Sequence, residues 1–427
     1  MSEAVQYDAV VIGGGPAGAT TAAVLAQHGR KVLVLEKETF PRYHVGESLM
    51  PYCYFPLERI GALEKVKASA FPKKYSVQFV TPAGKVSQPF YFFEHWDHEA
   101  AMTWQVVRSD FDKMLLDTAE EHGAEVRYAT RAKEILRDET GRVIGVRAEN
   151  ADGESMEVRA RVTVDASGRD ALAAARNRWR VKDPVLNKIA LWTYYRGAHR
   201  DPGIDEAATT ICYLPGKAWF WYIPLPDDVV GVGVVADRDY LYRDTRDKAE
   251  IIAREAQVNP WIAQRLEGAE QFGPYWATGE FSYRSEYCAD DGMVLVGDAF
   301  AFLDPVFSSG VYLALKSGEL AGDAIHAALA DNDVSAGRFT EYGEQMCKAI
   351  ETMRALVYAF YEENFSMKEV VGKHPEVRSD LVDCLIGDLV RDYDALCSAV
   401  GEFASLPPHL SHGRPRVAPP EPAGAGA

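Results

Sequence analysis

The chain has 427 residues, 47% of them apolar, and a formal net charge of −17. That length exceeds one average domain and that composition supports a large core, so global disorder is excluded. The acidic balance argues against a nucleic-acid surface or an anionic membrane as partner. No apolar run reaches the roughly 18–20 residues that cross a bilayer. The start, MSEAVQYDAV, lacks a cationic stretch followed by an apolar block, so no secretory signal is expected. Six cysteines, Cys53, Cys212, Cys288, Cys347, Cys384 and Cys397, lie far apart without a C-x-x-C pair, which predicts reduced, mostly buried thiols in a cytoplasmic protein.

The first element in chain order is YDAVVIGGGPAGATTAAVLAQHGRKVLVLEKE, which reads strand, glycine turn, helix, strand. Gly13, Gly15 and Gly18 match G-x-G-x-x-G, Ala22, Leu25 and Ala26 fall at helical spacing, and Glu36 ends the second strand. Glycines let the backbone turn sharply and approach a pyrophosphate without Cβ atoms, and the helix N-terminus offers free N–H groups to the phosphates. Glu36 is placed to accept hydrogen bonds from ribose hydroxyls. A dinucleotide site is therefore expected here. FPKKYSVQFV (71–80) carries Lys73 and Lys74 between aromatics and an apolar strand; taken alone, such a lysine is a solvated stem-and-tip residue. FFEHWDHEA (92–100) holds Glu94, His95, Asp97 and His98, but the spacing fits no strong metal signature, so a polar loop and no metal are expected.

VVRSDFDKMLLDTAEEHGAEV (106–126) predicts an amphipathic helix after Arg108, and VTVDASGRD (162–170) a strand ending at Asp165. AWFWYIP (218–224) packs Trp219, Phe220, Trp221 and Tyr222 together, as a core strand or the wall of a cavity would. Gly231 to Ala236 form a second G-x-G-like string with no helix after it, read as a closely packed strand and not a second nucleotide site. A strand at 293–296 ends in Gly297-Asp298, and FLDPVFSSG (302–310) leads into a helix from about Val311. A Ser-Ser-Gly turn before a helix can hold an anion through oriented N–H groups. In residues 336–365, Phe339, Tyr342, Met346, Ile350, Met353, Val357 and Phe360 recur at helical spacing. The last stretch, SHGRPRVAPPEPAGAGA, is rich in Pro, Ala and Gly and is expected to be disordered.

These motifs together resemble the FAD-dependent aromatic hydroxylase and geranylgeranyl reductase superfamily, and within it the flavin-dependent halogenases of variant phenol or pyrrole type. Trp219, Trp221, Ile223 and Pro224 spell W-x-W-x-I-P, and Phe302, Pro305, Ser308 and Gly310 match F-x-x-P-x-x-S-x-G. Phe71 to Ser76 resemble F-x-x-K-x-G with Lys74 in the lysine slot, Lys73 beside it, and Ser76 where the family has glycine. FPRYHVGESLMP (40–51) resembles the loop that borders the flavin in relatives. The resemblance implies FAD held by Gly13, Gly15, Ala17, Gly18, Glu36, Lys37, Arg42, Ser48, Arg108, Asp298, Pro305 and Gly310, with halide on the amides of Ser309 and Gly310.

It further implies that reduced FAD, supplied by a separate flavin reductase, forms a C4a-hydroperoxide with O₂. Chloride or bromide then yields hypohalous acid, which Lys74 delivers to an electron-rich phenol or pyrrole, free or tethered to a carrier protein, in natural-product biosynthesis. Trp219 and Trp221 would exclude water and keep the substrate from the flavin; the substrate base is left unassigned, with Glu47 a candidate. A monooxygenase or reductase on the same scaffold, or a non-catalytic flavin binder, are the other readings. The expected fold is α/β: a Rossmann-type FAD module (1–74, 106–184, 286–333) interleaved with a mixed β-sheet substrate module (75–105, 185–285), then a helical subdomain (334–405) and a disordered tail (406–427).

Overall fold

The computed structural model describes residues 6–279, 282–363 and 365–417. Its first layer grows from short, apolar strands of the kind that fill a sheet covered on both faces. Tyr7–Ile12 pairs in parallel with Val32–Leu35 on one side and Ser155–Asp165 on the other, and Met293–Leu295 follows. Glu125–Arg127 extends the sheet beyond Val32–Leu35. The front half of Ser155–Asp165 also pairs with Val143–Glu149, and that strand with Arg131–Arg137. Ile12 faces both Leu35 and Asp165, and Asp165 faces Leu295. The glycine turn and the loops after Asp165 and Leu295 therefore leave the sheet at one edge, where open α/β sheets bind ligands.

The helix Pro16–Gln27 follows the turn, and a Cβ on Gly18 would lie 2.0 Å from the Gly13 carbonyl oxygen. Only glycine permits that closeness of helix to turn. Gly310–Ala330 packs against the same helix, so both present their N-termini to the ligand edge.

The second layer is a seven-stranded sheet in the order Glu270–Thr278, Lys188–Arg196, Val229–Asp237, Ala218–Pro224, Thr209–Leu214, Ser76–Val80 and Phe90–Tyr91. All pairs are antiparallel except Thr209–Leu214 with Ser76–Val80. The alternation of Ala218–Pro224 answers what its aromatic run does. Trp219, Trp221 and Ile223 face the core shared with the first layer, whereas Phe220 and Tyr222 pack into a second core on the other face. That second core is closed by Lys248–Val258 and Pro260–Arg265, two helices within a segment (185–285) expected to be sheet. Ile251, Ile252 and Ile262 supply their buried side. The Gly231–Ala236 string is strand, and a Cβ on Gly233 would fall 2.1 Å from the Trp221 ring.

Thr340–Phe360 and three shorter helices, Met367–Lys373, Arg378–Ile386 and Asp394–Gly401, complete the fold. The tail departs from expectation over its described part. Arg414–Pro415 pairs in parallel with Tyr287–Asp290 at the edge of the first sheet. Arg284 donates to Leu410 O (2.7 Å) and Arg354 to Pro408 O (3.0 Å), so two buried guanidiniums hold the segment that composition assigns to disorder. Residues 418–427 lie outside the described residues.

Candidate active site

At the ligand edge of the first sheet, a cavity runs between the two layers. Gly15, Pro16 and Ala17 from the first helix, Asp298, Phe302 and Pro305 from the loop after Leu295, and Trp219, Trp221 and Ile223 from the second sheet all line it. A second cavity, about 620 Å³, holds Lys74, Phe90, Phe92 and the helices after residue 366. Thr209 and Ser308 line both, so these residues stand between the two spaces.

The first cavity suits a dinucleotide at the turn. The Arg42 guanidinium lies beside Gly15, with Nη2 3.7 Å from where a Cβ would stand. Its Nη2 is paired with Asp112 (3.1 Å), but its buried Nε has no hydrogen-bond partner. A cation with a buried orphan donor, set against free N–H groups at a helix N-terminus, is what a pyrophosphate satisfies. Arg108 starts the helix Arg108–Glu121, grips Asp112 with two bonds (2.8 and 3.0 Å) and donates to Val45 O (2.7 Å), which pins the 40–51 loop. Asp112, the second acid of the R-x-x-F-D segment, thus orients both arginines. Asp298 lines the cavity, and burial raises its carboxyl to about 6 against the pull of Arg169 and Arg108.

Several expected cofactor residues do not line this cavity. Lys37 is paired with Asp170 (2.6 Å) outside the cavity wall. Glu36 is buried there too, its carboxylate accepting the Gly14 and Glu38 N–H groups at 2.9 Å each. Gly13 and Gly18 shape the turn from behind, and Pro224 ends its strand without lining the cavity. Ser48 does line it, donating to or accepting from Thr209 Oγ1 (2.8 Å) and accepting from Lys74 (2.9 Å).

Ser308 has φ 58°, a left-handed conformation costly for a side-chain-bearing residue and found where surrounding structure enforces it. It turns the chain into Ser309 and the helix Gly310–Ala330. Gly310 and Ser308 line the first cavity; Ser309 is buried behind them. Asp304 accepts the Val306 N–H (3.2 Å), and the hydroxyl of Tyr361 joins Asp304 to the Trp219 indole N–H. Sequence reading did not single out Tyr361, Asp304 or Thr209. Asp304 had a local signal, an acid directly before proline in a turn; the other two had none.

Lys74 sits on the two-residue strand Lys73–Lys74, whose alternation exposes Lys73 and leaves Lys74 2% exposed. Its Nζ donates to Ser48 Oγ (2.9 Å) and Leu49 O (3.0 Å). No carboxylate pairs with it among the described residues, and burial pulls its pKa down to about 7. The two tryptophans stand on the wall of the first cavity and not in the space around Lys74; Thr209 and Ser308 are shared by both. Ser76, where the family has glycine, is fully buried and donates to Asp205 Oδ1 (3.4 Å). Glu47 lines only the first cavity of these two, accepts the Tyr194 hydroxyl (2.5 Å) and is raised to about 7 by burial.

The family model for tryptophan halogenase matches residues 8–96 and 84–367. The 1H-pyrrole-2-carbonyl-[peptidyl-carrier protein] chlorinase of Pseudomonas fluorescens is 32% identical over 95% of this chain and 96% of its own length. The corresponding brominase of Pseudoalteromonas luteoviolacea is 36% identical over 78% of this chain and 80% of its own. Among solved structures, the flavin-dependent brominase Bmp2 superposes with a TM-score of 0.85 at 30% identity, covering 93% of this chain and 98% of that one. The myxobacterial chondrochloren halogenase CndH gives 0.79 at 29%, covering 93% and 96%.

Proposed function

Since the chain belongs to the tryptophan halogenase family of flavin-dependent enzymes, we propose that it halogenates a pyrrole ring carried as a thioester on a carrier protein, with Lys74 as the residue that delivers the halogen. The chain is a flavin-dependent halogenase using reduced FAD, O₂ and chloride or bromide. When bound, reduced FAD with O₂ supplies the two-electron oxidation of halide to hypohalous acid. The residues that would hold it are Gly15 and Ala17 at the helix N-terminus, Arg42 and Arg108 around Asp112, and Asp298. The amides of Ser309 and Gly310, at the N-terminus of their helix, hold the halide. Trp219 and Trp221 narrow the first cavity so that a substrate ring stays in the second.

Lys74 carries the step to the ring. A neutral lysine has two N–H bonds and one lone pair. Here the two acceptors, Ser48 Oγ and Leu49 O, take the N–H groups, which leaves the lone pair for an electrophile. The amine nitrogen attacks the halogen of HOX: N–X forms, O–X breaks, and the hydroxide leaves as water with the proton the amine gives up. The ring then takes the halogen as an electrophile and loses a proton. Position matters as much as reactivity, since the oxidant reaches the ring only beside a fixed amine. A separate NAD(P)H-dependent flavin reductase supplies the reduced flavin.

The single observation behind this reading is the buried amine of Lys74, without a carboxylate partner among the described residues, in a cavity that shares Thr209 and Ser308 with the flavin-side cavity. The experiment combines FAD, a flavin reductase, NADH and bromide or chloride with pyrrolyl-carrier protein. Expected is halogenated thioester with wild-type enzyme, and hypohalous acid trapped by a phenol but no halogenated thioester with Lys74→Ala. Halide-independent product, or full ring halogenation by the variant, refutes it.

A further inference from the structure

Lys74 marks the closed end of the second cavity. Its exposed lining residues, Gln88, Glu94, Lys368 and Arg378, mark the open end. Lys368 and Arg378 come from separate helices, Met367–Lys373 and Arg378–Ile386. Neither has an ion pair among the described residues. Their neighbours do: Lys373 with Glu402, His374 with Glu376 and Glu402, Arg391 with Asp380, Asp383 and Asp388. On a chain of net charge −17, acids to pair with are plentiful. Two cations without ion pairs at one opening, with Glu94 the only acid on the cavity wall among the described residues, are therefore a local exception. The charge of Arg378 also acts on His95 of the same wall, adding to the burial that lowers the His95 pKa. Beside the polar His95, Thr209 and Ser308, the rest of the lining is mostly apolar, including Val77, Phe79, Phe307, Val371, Leu381 and Leu385.

Exposed cations, a mostly apolar cavity and a buried amine on one lining match one kind of molecule: an anionic phosphodiester on a flexible arm with few charges, ending in the reacting group. We propose that Lys368 and Arg378 bind the phosphodiester of a phosphopantetheine arm, which runs down the second cavity and presents its thioester-linked ring to Lys74. The proposal rests on the carrier-tethered reading above. Arg378 offers a planar fork suited to two phosphate oxygens and Lys368 a compact charge, so both oxygens are held without a preformed pocket. The apolar lining accepts the methyl and methylene groups of the arm.

The test uses two pyrrole-2-carboxyl thioesters, one on 4′-phosphopantetheine and one on pantetheine, with the flavin-loaded enzyme. The wild type is expected to show a KM roughly tenfold lower for the phosphorylated thioester, an advantage that shrinks as salt rises. In the Lys368→Ala/Arg378→Ala double variant that ratio falls to about one, while kcat on the unphosphorylated thioester and FAD affinity stay at wild-type values. Isothermal titration of flavin-free enzyme with 4′-phosphopantetheine gives a second readout: binding by the wild type, at least tenfold weaker binding by the variant. Equal KM for the two thioesters in the wild type, or an unchanged ratio in the variant, overturns the phosphate site alone. Turnover of free pyrrole or phenol with neither thioester accepted overturns the tethered reading, and the phosphate site with it.

Discussion

Trp219 and Tyr361, 142 residues apart in sequence, meet in a 2.8 Å hydrogen bond from the indole N–H to the phenol hydroxyl. That hydroxyl donates onward to Asp304 Oδ2 at 2.8 Å. One phenol thus ties the tryptophan wall to the residue that precedes Pro305 and the Ser308–Gly310 turn. Tyr361→Phe keeps the ring and removes both bonds. The expected outcome is a stability loss of about 1–3 kcal/mol in denaturant melts, with a larger functional effect: more hypohalous acid reaches a scavenger in the medium for each ring halogenated. An unchanged ratio of leaked to delivered halogen shows that the strut is only structural.

Lys74 is expected to set the pH profile of delivery. Burial lowers its pKa to about 7, so the amine is charged below that pH and neutral above it. Attack on hypohalous acid needs the neutral form. The fraction of hypohalous acid converted to halogenated ring should therefore rise as pH increases through about 7, while hypohalous acid production need not follow it. Lys74→Met should remove the rise and cut ring product by roughly 10²–10⁴-fold, measured by chromatography against a phenol trap. A profile that falls over the same window contradicts the neutral-amine route.

Glu47 gives a stability prediction with a defined sign. Burial raises its carboxyl from 4.5 to about 7 in the folded protein, against the Tyr194 hydrogen bond and Arg108. Between those values the folded state keeps a proton that the unfolded chain has released, so stability falls as pH rises through the window. Glu47→Gln cannot titrate. Relative to that variant, the wild type should lose ~3 kcal/mol between pH 4.5 and 7, read from urea melts at a series of pH values. Parallel pH curves for the two proteins would show that Glu47 is not held protonated.

Arg42→Ala addresses the cofactor end. Its buried Nε lies 3.8 Å from Glu36 Oε2 but makes no hydrogen bond, and its guanidinium flanks the turn at Gly15. Losing a charge-assisted contact to a phosphate should weaken FAD binding by roughly 10–100-fold, followed by fluorescence quenching on titration. Binding of riboflavin, which has no pyrophosphate, should not change. An unaltered FAD dissociation constant would place the pyrophosphate elsewhere.

What could be read from sequence follows from how local each interaction is. The turn at Gly13, Gly15 and Gly18 was legible because its helix and both flanking strands are consecutive, and the structure places them as expected. The halogenase resemblance carried by Trp219, Trp221 and the 302–310 loop agrees with the family match. Choosing between Lys73 and Lys74 needed the strand register with Thr103–Trp104, since alternation buries one of two adjacent lysines and adjacency alone cannot say which. The pairing of Lys37 with Asp170 is not legible from sequence, since position after a strand does not reveal a partner on a distant loop. The Trp219–Tyr361–Asp304 connection and the junction at Thr209 and Ser308 depend on three-dimensional neighbours that no periodicity encodes.

The parallel pairing of Arg414–Pro415 with Tyr287–Asp290 makes the C-terminal segment a cover for what would otherwise be an open sheet border. Bare borders of that kind recruit strands from other molecules. Cutting the chain near residue 405 would uncover this border and also take the Pro408 and Leu410 carbonyls from two interior arginines, Arg354 and Arg284. Trimming for crystallisation or fusion would then leave the backbone groups of Tyr287–Asp290 open to pairing with another molecule.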